Sequence, residues 1–114
     1  MPRRPLDPFP SAAFHILLAL ADGDLHGYGI MREVSEQTEG RMRLGPGTLY
    51  GSIRTLLREE LIQEVDGPAD NSSERRRYYR LTPAGRKLAR SEADRMADLL
   101  RIARAKKILR GEHV

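Results

Sequence analysis

Across residues 44–57 the chain reads Leu-Gly-Pro-Gly-Thr-Leu-Tyr-Gly-Ser-Ile-Arg-Thr-Leu-Leu, with its large apolar side chains at Leu49, Ile53, Leu56 and Leu57. The spacing i, i+4, i+7, i+8 is one face of an α-helix. At 100° per residue the opposite face carries Gly47, Gly51, Arg54 and Arg58, flanked by Thr48 and Tyr50. Each glycine inside a helix costs about 1 kcal/mol relative to alanine. Two of them one turn apart, beside two guanidinium groups, predict a backbone that approaches a partner closely. Duplex DNA offers both a groove to enter and phosphates to grip. The plain alternative is an amphipathic helix with a solvated face.

Other apolar patterns predict the surrounding elements. Residues 1–10 contain four prolines and no helical period, and read as an extended arm. A first helix starts at Ser11 and runs to about residue 21, with Phe14, Leu17, Leu18 and Ala21 on one face and Ile16 and Leu20 widening it. So broad an apolar face suggests contact with a second subunit. Asp22-Gly23-Asp24 is a turn. A second helix covers 27–38, with Ile30, Met31, Val34 and Thr38 inward, and Gly40 stops it. Arg41-Met42-Arg43 leads into the glycine-faced helix, where Gly45 is the N-cap and Pro46 the first helical residue.

Residues 61–65 read as a strand, 66–73 as turn chemistry and 75–81 as a second strand, together a hairpin. Tyr79 and Leu81 are the expected core-facing pair; Arg75, Arg76 and Arg77 lie towards the loop tip. Thr82-Pro83 then signals a last helix running to about residue 109. In it Ala89, Ala93, Met96, Leu100 and Ala103 recur at intervals of 4, 3, 4 and 3, a heptad seam with Leu99 and Ile102 beside it. Glu92–Arg95 and Asp98–Arg101 form favourable pairs on its flanks. A helix of this length has too little in its own domain to cover the stripe, so the same helix from a second copy is the simplest partner. The expected fold is mainly α with a small β-hairpin: a winged helix-turn-helix followed by a long C-terminal dimerisation helix. The expected divisions are an arm (1–10), a DNA-binding domain (11–82), the dimerisation helix (83–110) and a tail (111–114).

Composition narrows the function. The 114 residues suffice for one domain and one core. The chain has no cysteine, which removes disulfides, thiol nucleophiles and thiolate zinc sites. A net charge of +4 and a pI near 9.8 suit a polyanionic partner. The longest apolar run, about residues 14–21, is far short of a membrane span. No secretory signal precedes it, so a cytoplasmic, nucleoid-associated protein is expected. His15, His26 and His113 lack clustered carboxylates and no nucleophile motif is present, so neither an enzyme nor a metal or other cofactor is expected. His26 reads as a local structural residue where the second helix begins. The two G-x-G stretches, at 27–29 and 45–47, do not join a strand to a helix and so do not make a nucleotide fold.

Four motifs in order carry a family resemblance: Leu25-His26-Gly27-Tyr28-Gly29-Ile30, Leu44-Gly45-Pro46-Gly47-Thr48-Leu49-Tyr50, Leu61-Ile62, and Arg76-Arg77-Tyr78-Tyr79-Arg80-Leu81-Thr82-Pro83-Ala84-Gly85. The chain resembles the PadR family of bacterial transcriptional regulators over roughly residues 12–105. The resemblance implies a dimeric winged-helix repressor with a single C-terminal dimerisation helix. It also implies that Thr48 and Tyr50 meet DNA and that the basic residues before Tyr78 are wing contacts. Two positions depart from the pattern. Glu60 stands where the family usually has a glycine, which suggests a differently built turn, and Gly29 loosens the start of the second helix.

The expected function is a homodimeric DNA-binding regulator, most simply a ligand-responsive repressor at a pseudo-palindromic operator. Thr48, Tyr50 and Arg54 are expected in the groove; Arg43, Arg58, Arg75, Arg76 and Arg77 are expected on the phosphates. Phe14, Leu17, Ala89, Ala93, Met96, Leu99, Leu100 and Ala103 are expected to build the dimer. A small-molecule effector of unspecified identity would enter near Phe14, Met96 and Leu100. With two Phe and no Trp, the composition provides little material for an aromatic drug pocket. The reading from another class is a winged-helix protein-interaction module with no DNA role.

Overall fold

A computed structural model describes residues 11–68 and 77–109. Its order is α1 (Ser11–Ala19), a 3₁₀ turn (Leu20–Asp22), β1 (Leu25–His26), α2 (Gly27–Gln37), α3 (Pro46–Arg58), β2 (Ile62–Asp66), β3 (Arg77–Leu81) and α4 (Pro83–Ala105). The fold is mostly helical with a small antiparallel sheet.

The breadth of the apolar face on α1 is explained inside one subunit. This helix packs against α2, α3 and α4 at once, and Ile16, Leu17 and Leu20 are fully buried. Of its large apolar residues Leu18 alone is left substantially open, at 39%. A second subunit is therefore not needed to account for this pattern, contrary to the expectation from sequence.

Helix α2 starts on His26, whose Nδ1 accepts the Gly29 N–H at 2.9 Å. That is the structural role expected of His26, and it satisfies one of the unpaired donors of the first turn. At the other end Thr38 closes the helix. Its hydroxyl donates to the Val34 carbonyl (2.8 Å) and accepts from the Met42 N–H (3.0 Å), tying helix end to connector. Gly40 is left-handed as expected, but Glu39 already takes a positive φ (53°) just before it. Helix α3 begins with Gly45 and Pro46 in the expected places. Leu49, Ile53 and Leu56 reach the core, where Ile30 and Val34 of α2 meet them.

The sheet has three strands in the order β1-β3-β2, where the sequence predicted two. β1 pairs Leu25 with Tyr79 and His26 with Tyr78; β2 pairs Ile62 with Leu81 and Val65 with Tyr78. A two-residue strand has no period to reveal it. Tyr79 is buried and Leu81 partly so, as the alternation predicted. Arg80, on the other side of β3, forks onto Asp24 through Nε (3.0 Å) and a terminal nitrogen (2.8 Å), securing the turn before β1.

The tightest junction lies where α3, β2 and α4 meet. Glu60 adopts φ +60°, so the left-handed turn is kept with a non-glycine residue. The expected alternative turn is not what forms. Its closing bonds run from the Leu61 N–H to the Leu56 carbonyl (2.9 Å) and from the Glu60 N–H to the Leu57 carbonyl (3.0 Å), a Schellman pattern. Thr82 then fastens α4 to this turn: its N–H donates to the Leu61 carbonyl (3.1 Å) and its hydroxyl to the Glu60 carbonyl (2.8 Å). The same hydroxyl accepts the Gly85 N–H (3.0 Å) as the N-cap of α4. Gly85 is buried so closely that a β-carbon there would lie 2.0 Å from the Leu61 carbonyl oxygen.

Beyond Gly85, Leu88 and Ala89 pack on the core, and the helix then leaves it. α4 ends at Ala105, four residues before the predicted limit. Lys107 turns left-handed (φ 60°), and the Ile108 N–H bonds to the Ala103 carbonyl at 2.8 Å. No glycine marks this stop; the signal available was the cluster Arg104, Lys106 and Lys107, whose charge suits a helix C-terminus.

Two substitutions test the junction in opposite directions. Glu60→Gly should raise unfolding stability by about 1 kcal/mol by relieving the left-handed strain. Gly85→Ala should lower it by about 3 kcal/mol or more, because the Leu61 backbone that the new methyl would strike cannot yield. Urea titration of both variants beside the parent chain checks the signs.

Candidate nucleic-acid interface

The outer face of α3 is bare. Cβ atoms added at Gly45 and Gly47 would meet nothing within 4 Å, and one at Gly51 would meet only the Arg54 guanidinium, at 3.9 Å. Thr48, Arg54 and Arg58 are exposed around this strip. Among the described residues no side chain but that of Arg54 comes within 4 Å of a β-carbon at Gly47 or Gly51; Gly47 is exposed and Gly51 half-exposed, so the backbone between them can approach another molecule. Arg43 is also exposed, its guanidinium resting over Gly40 at 3.6 Å from where a β-carbon would stand.

Tyr50 is less simply placed. It is 45% exposed, yet its hydroxyl end lies against Gly27, the first residue of α2. Sequence periodicity put Tyr50 on the flank of α3 and carried no sign of this contact.

On the wing, Arg77 is exposed and lies 3.8 Å from the Glu64 carboxylate on β2. Arg58 stands 3.9 Å from Glu59. Pairs this long and this solvated contribute little to stability, so both guanidiniums can exchange a carboxylate for a phosphate at small cost. Each of these two guanidiniums therefore has an acidic neighbour on the same face. Arg75 and Arg76 lie outside the described residues.

The expected dimer residues divide sharply. Leu99 and Leu100 are 52% and 51% exposed, with Ile102 at 43%. Ala93 is exposed too, whereas Ala89, Met96 and Ala103 are half-buried. The Glu92–Arg95 and Asp98–Arg101 pairs form along the same helix as predicted. Phe14 is 7% exposed and lies outside the main core cluster. Leu17 is a correction: fully buried in its own subunit, it has no surface to give a partner. A helical face alone could not separate Leu17 from Leu18, because α1 is covered from three directions.

Residues 16–91 match the model of the family described as the transcriptional regulator PadR-like family. The chain belongs to the PadR-like family of transcriptional regulators. Over 87 residues it is 33% identical to the transcriptional regulator Rv3488 of Mycobacterium tuberculosis, covering 76% of this chain and 77% of that protein. Over 84 residues it is 45% identical to an uncharacterized 37.1 kDa protein in transposon TN4556 of Streptomyces fradiae, covering 74% of this chain. The match spans only 22% of that longer protein. Bacillus subtilis PadR, solved in complex with operator DNA, shares the fold with a TM-score of 0.65 at 20% identity, over 78% of this chain and 48% of that one. Among the described residues, no helix is long and apolar enough to cross a membrane.

The wing root of this PadR-like chain has a pH signature. Hydrogen bonds from Arg80 hold the Asp24 carboxyl below its ordinary value, with burial opposing and the Arg80 charge assisting. A carboxyl depressed in the folded state adds stability above its unfolded pKa and loses it as pH falls through the folded one. The stability gap between the parent chain and Asp24→Asn should therefore be full at neutral pH and close as pH drops below the ordinary value of 3.8. Thermal unfolding across an acid pH series measures that gap.

Proposed function

We propose that this regulator is a homodimer that binds a pseudo-palindromic operator sequence-specifically and acts as a ligand-responsive repressor. The observation that carries the reading is the strip of α3 at Gly47 and Gly51, exposed at the first and half-exposed at the second with room for a close approach, flanked by Thr48, Arg54 and Arg58. A helix that exposes its own backbone between basic side chains is suited to a major groove, where an α-helix fits and base edges are distinct. The Bacillus protein of the same fold is solved on operator DNA, which supports this choice of partner.

In this reading residues 11–82 are the DNA-binding domain. Thr48, Tyr50 and Arg54 meet base edges, with Arg54 the best guanine reader because its two terminal nitrogens match the O6/N7 pair. Arg43, Arg58, Arg75, Arg76 and Arg77 hold phosphates and set register without reading sequence. The stripe of half-buried Met96 and open Leu99 and Leu100 on residues 83–110 pairs with its copy about a two-fold axis. The two α3 helices then enter half-sites about 34 Å apart. An effector enters where α1 and α4 adjoin, near Phe14, Met96 and Leu100. The protein acts in the cytoplasm, where its operator lies.

Selection of bound duplexes from a random pool supplies the site, after which two variants separate the roles. Arg54→Ala should relax preference at one or two base pairs, costing about 1–3 kcal/mol of discrimination. Arg77→Ala should weaken all sequences alike and flatten the salt slope. For six to ten phosphates neutralised per dimer, affinity of the parent chain should fall about 10³–10⁵-fold between 50 and 200 mM salt. Weak, salt-insensitive binding to every duplex would instead support a protein-interaction module.

A further inference from the structure

We infer that Gly27 is a positioning residue for DNA readout, its bare backbone being the seat that holds Tyr50 of α3. The inference rests on the DNA-binding reading and adds to it a residue outside the helix that enters the groove. A β-carbon at Gly27 would lie 2.6 Å from Tyr50 Oη, 3.1 Å from Cζ and 3.2 Å from Cε1. Any side chain at Gly27 therefore displaces the phenol.

The seat itself is anchored. Gly27 is buried and follows directly on His26, which caps α2 through the Gly29 N–H and pairs with Tyr78 of β3. The His26 ring also stands edge-on to the Tyr78 ring at 5.2 Å. Tyr50 also helps raise the pKa of the Tyr79 hydroxyl on β3, after burial and Glu64. Tyr50 thus rests its hydroxyl end on the first turn of α2, with 45% of its surface still open.

Neither helix propensity nor the turn requires glycine at this position. Gly27 has no positive φ, and alanine is the better helix former. What glycine supplies is room for the phenol. An exposed tyrosine without a seat samples several staggered rotamers, and ordering it on binding weakens affinity. Held against Gly27, the ring is ordered before DNA arrives, unlike the long exposed side chains of Arg54 and Arg58.

A double-mutant cycle on the full chain tests this, using the selected duplex and its single-base-pair variants. Gly27→Ala should keep the melting midpoint within a few degrees while affinity falls about tenfold and base discrimination drops. In a Tyr50→Ala background the same change should have no further effect on binding. Gly27→Ala binding and discriminating like the parent, or losing the same factor in both backgrounds, overturns the inference. Fluorinated tyrosine at position 50 in the otherwise unaltered protein gives a second measurement that needs neither DNA nor a glycine variant. A ring of restricted motion supports the seat and free rotation overturns it. Failure of the parent chain to bind any duplex would sink the DNA reading itself, with the fluorine result still reporting on the seat.

Discussion

The relative placement of α3, β2 and α4 depends on the Leu61 carbonyl. It accepts the Thr82 N–H and lies so close to Gly85 that no side chain fits between them. One residue earlier, Glu60 reverses the chain in a left-handed conformation, and its carbonyl takes the Thr82 hydroxyl. The end of α3, the start of β2 and the first turn of α4 thereby share one point. Helix α3 cannot tilt without carrying α4 with it. In a dimer built on α4, this contact would set the angle at which the two α3 helices meet the duplex.

The core gives that junction something to lean on. Helix α1 is clad by three other helices, so its burial reports its central place in one subunit and not a partner. What α4 leaves open is different in kind. Past Ala89 it carries Leu99, Leu100 and Ile102 outward with no cover among the described residues. The broad face of α1 and the heptad seam of α4 each suggested a second subunit in sequence; only the first is consumed inside the subunit.

Much of this was legible from residue order, and the failures have physical causes. Periodicity found α3 and its buried face, Thr82-Pro83 marked the start of α4, and alternation put Tyr79 inward. β1 was missed because two residues cannot show a period, although it completes the sheet. Glu60 was misjudged because left-handed strain was weighed without the four hydrogen bonds that hold the turn and Thr82 together. Leu17 was assigned to a dimer surface because a helical wheel shows a face and not how many neighbours share it. Tyr50 was placed correctly on α3, but its contact with Gly27 joins residues 23 positions apart, beyond any local pattern.

Charge was the least transferable reading. Arg77 of the wing and Arg54 and Arg58 of α3 are exposed, yet Glu64 and Glu59 sit beside two of them. What distinguishes the surface is uncovered backbone more than excess positive charge. The most direct measurement is therefore a nuclear magnetic resonance titration of nitrogen-15-labelled protein with its selected duplex. The account predicts that the amides of Gly45, Gly47, Thr48 and Gly51 shift most and become protected from exchange with water. Unchanged amides along α3, with the shifts gathered on the distal half of α4, would contradict it.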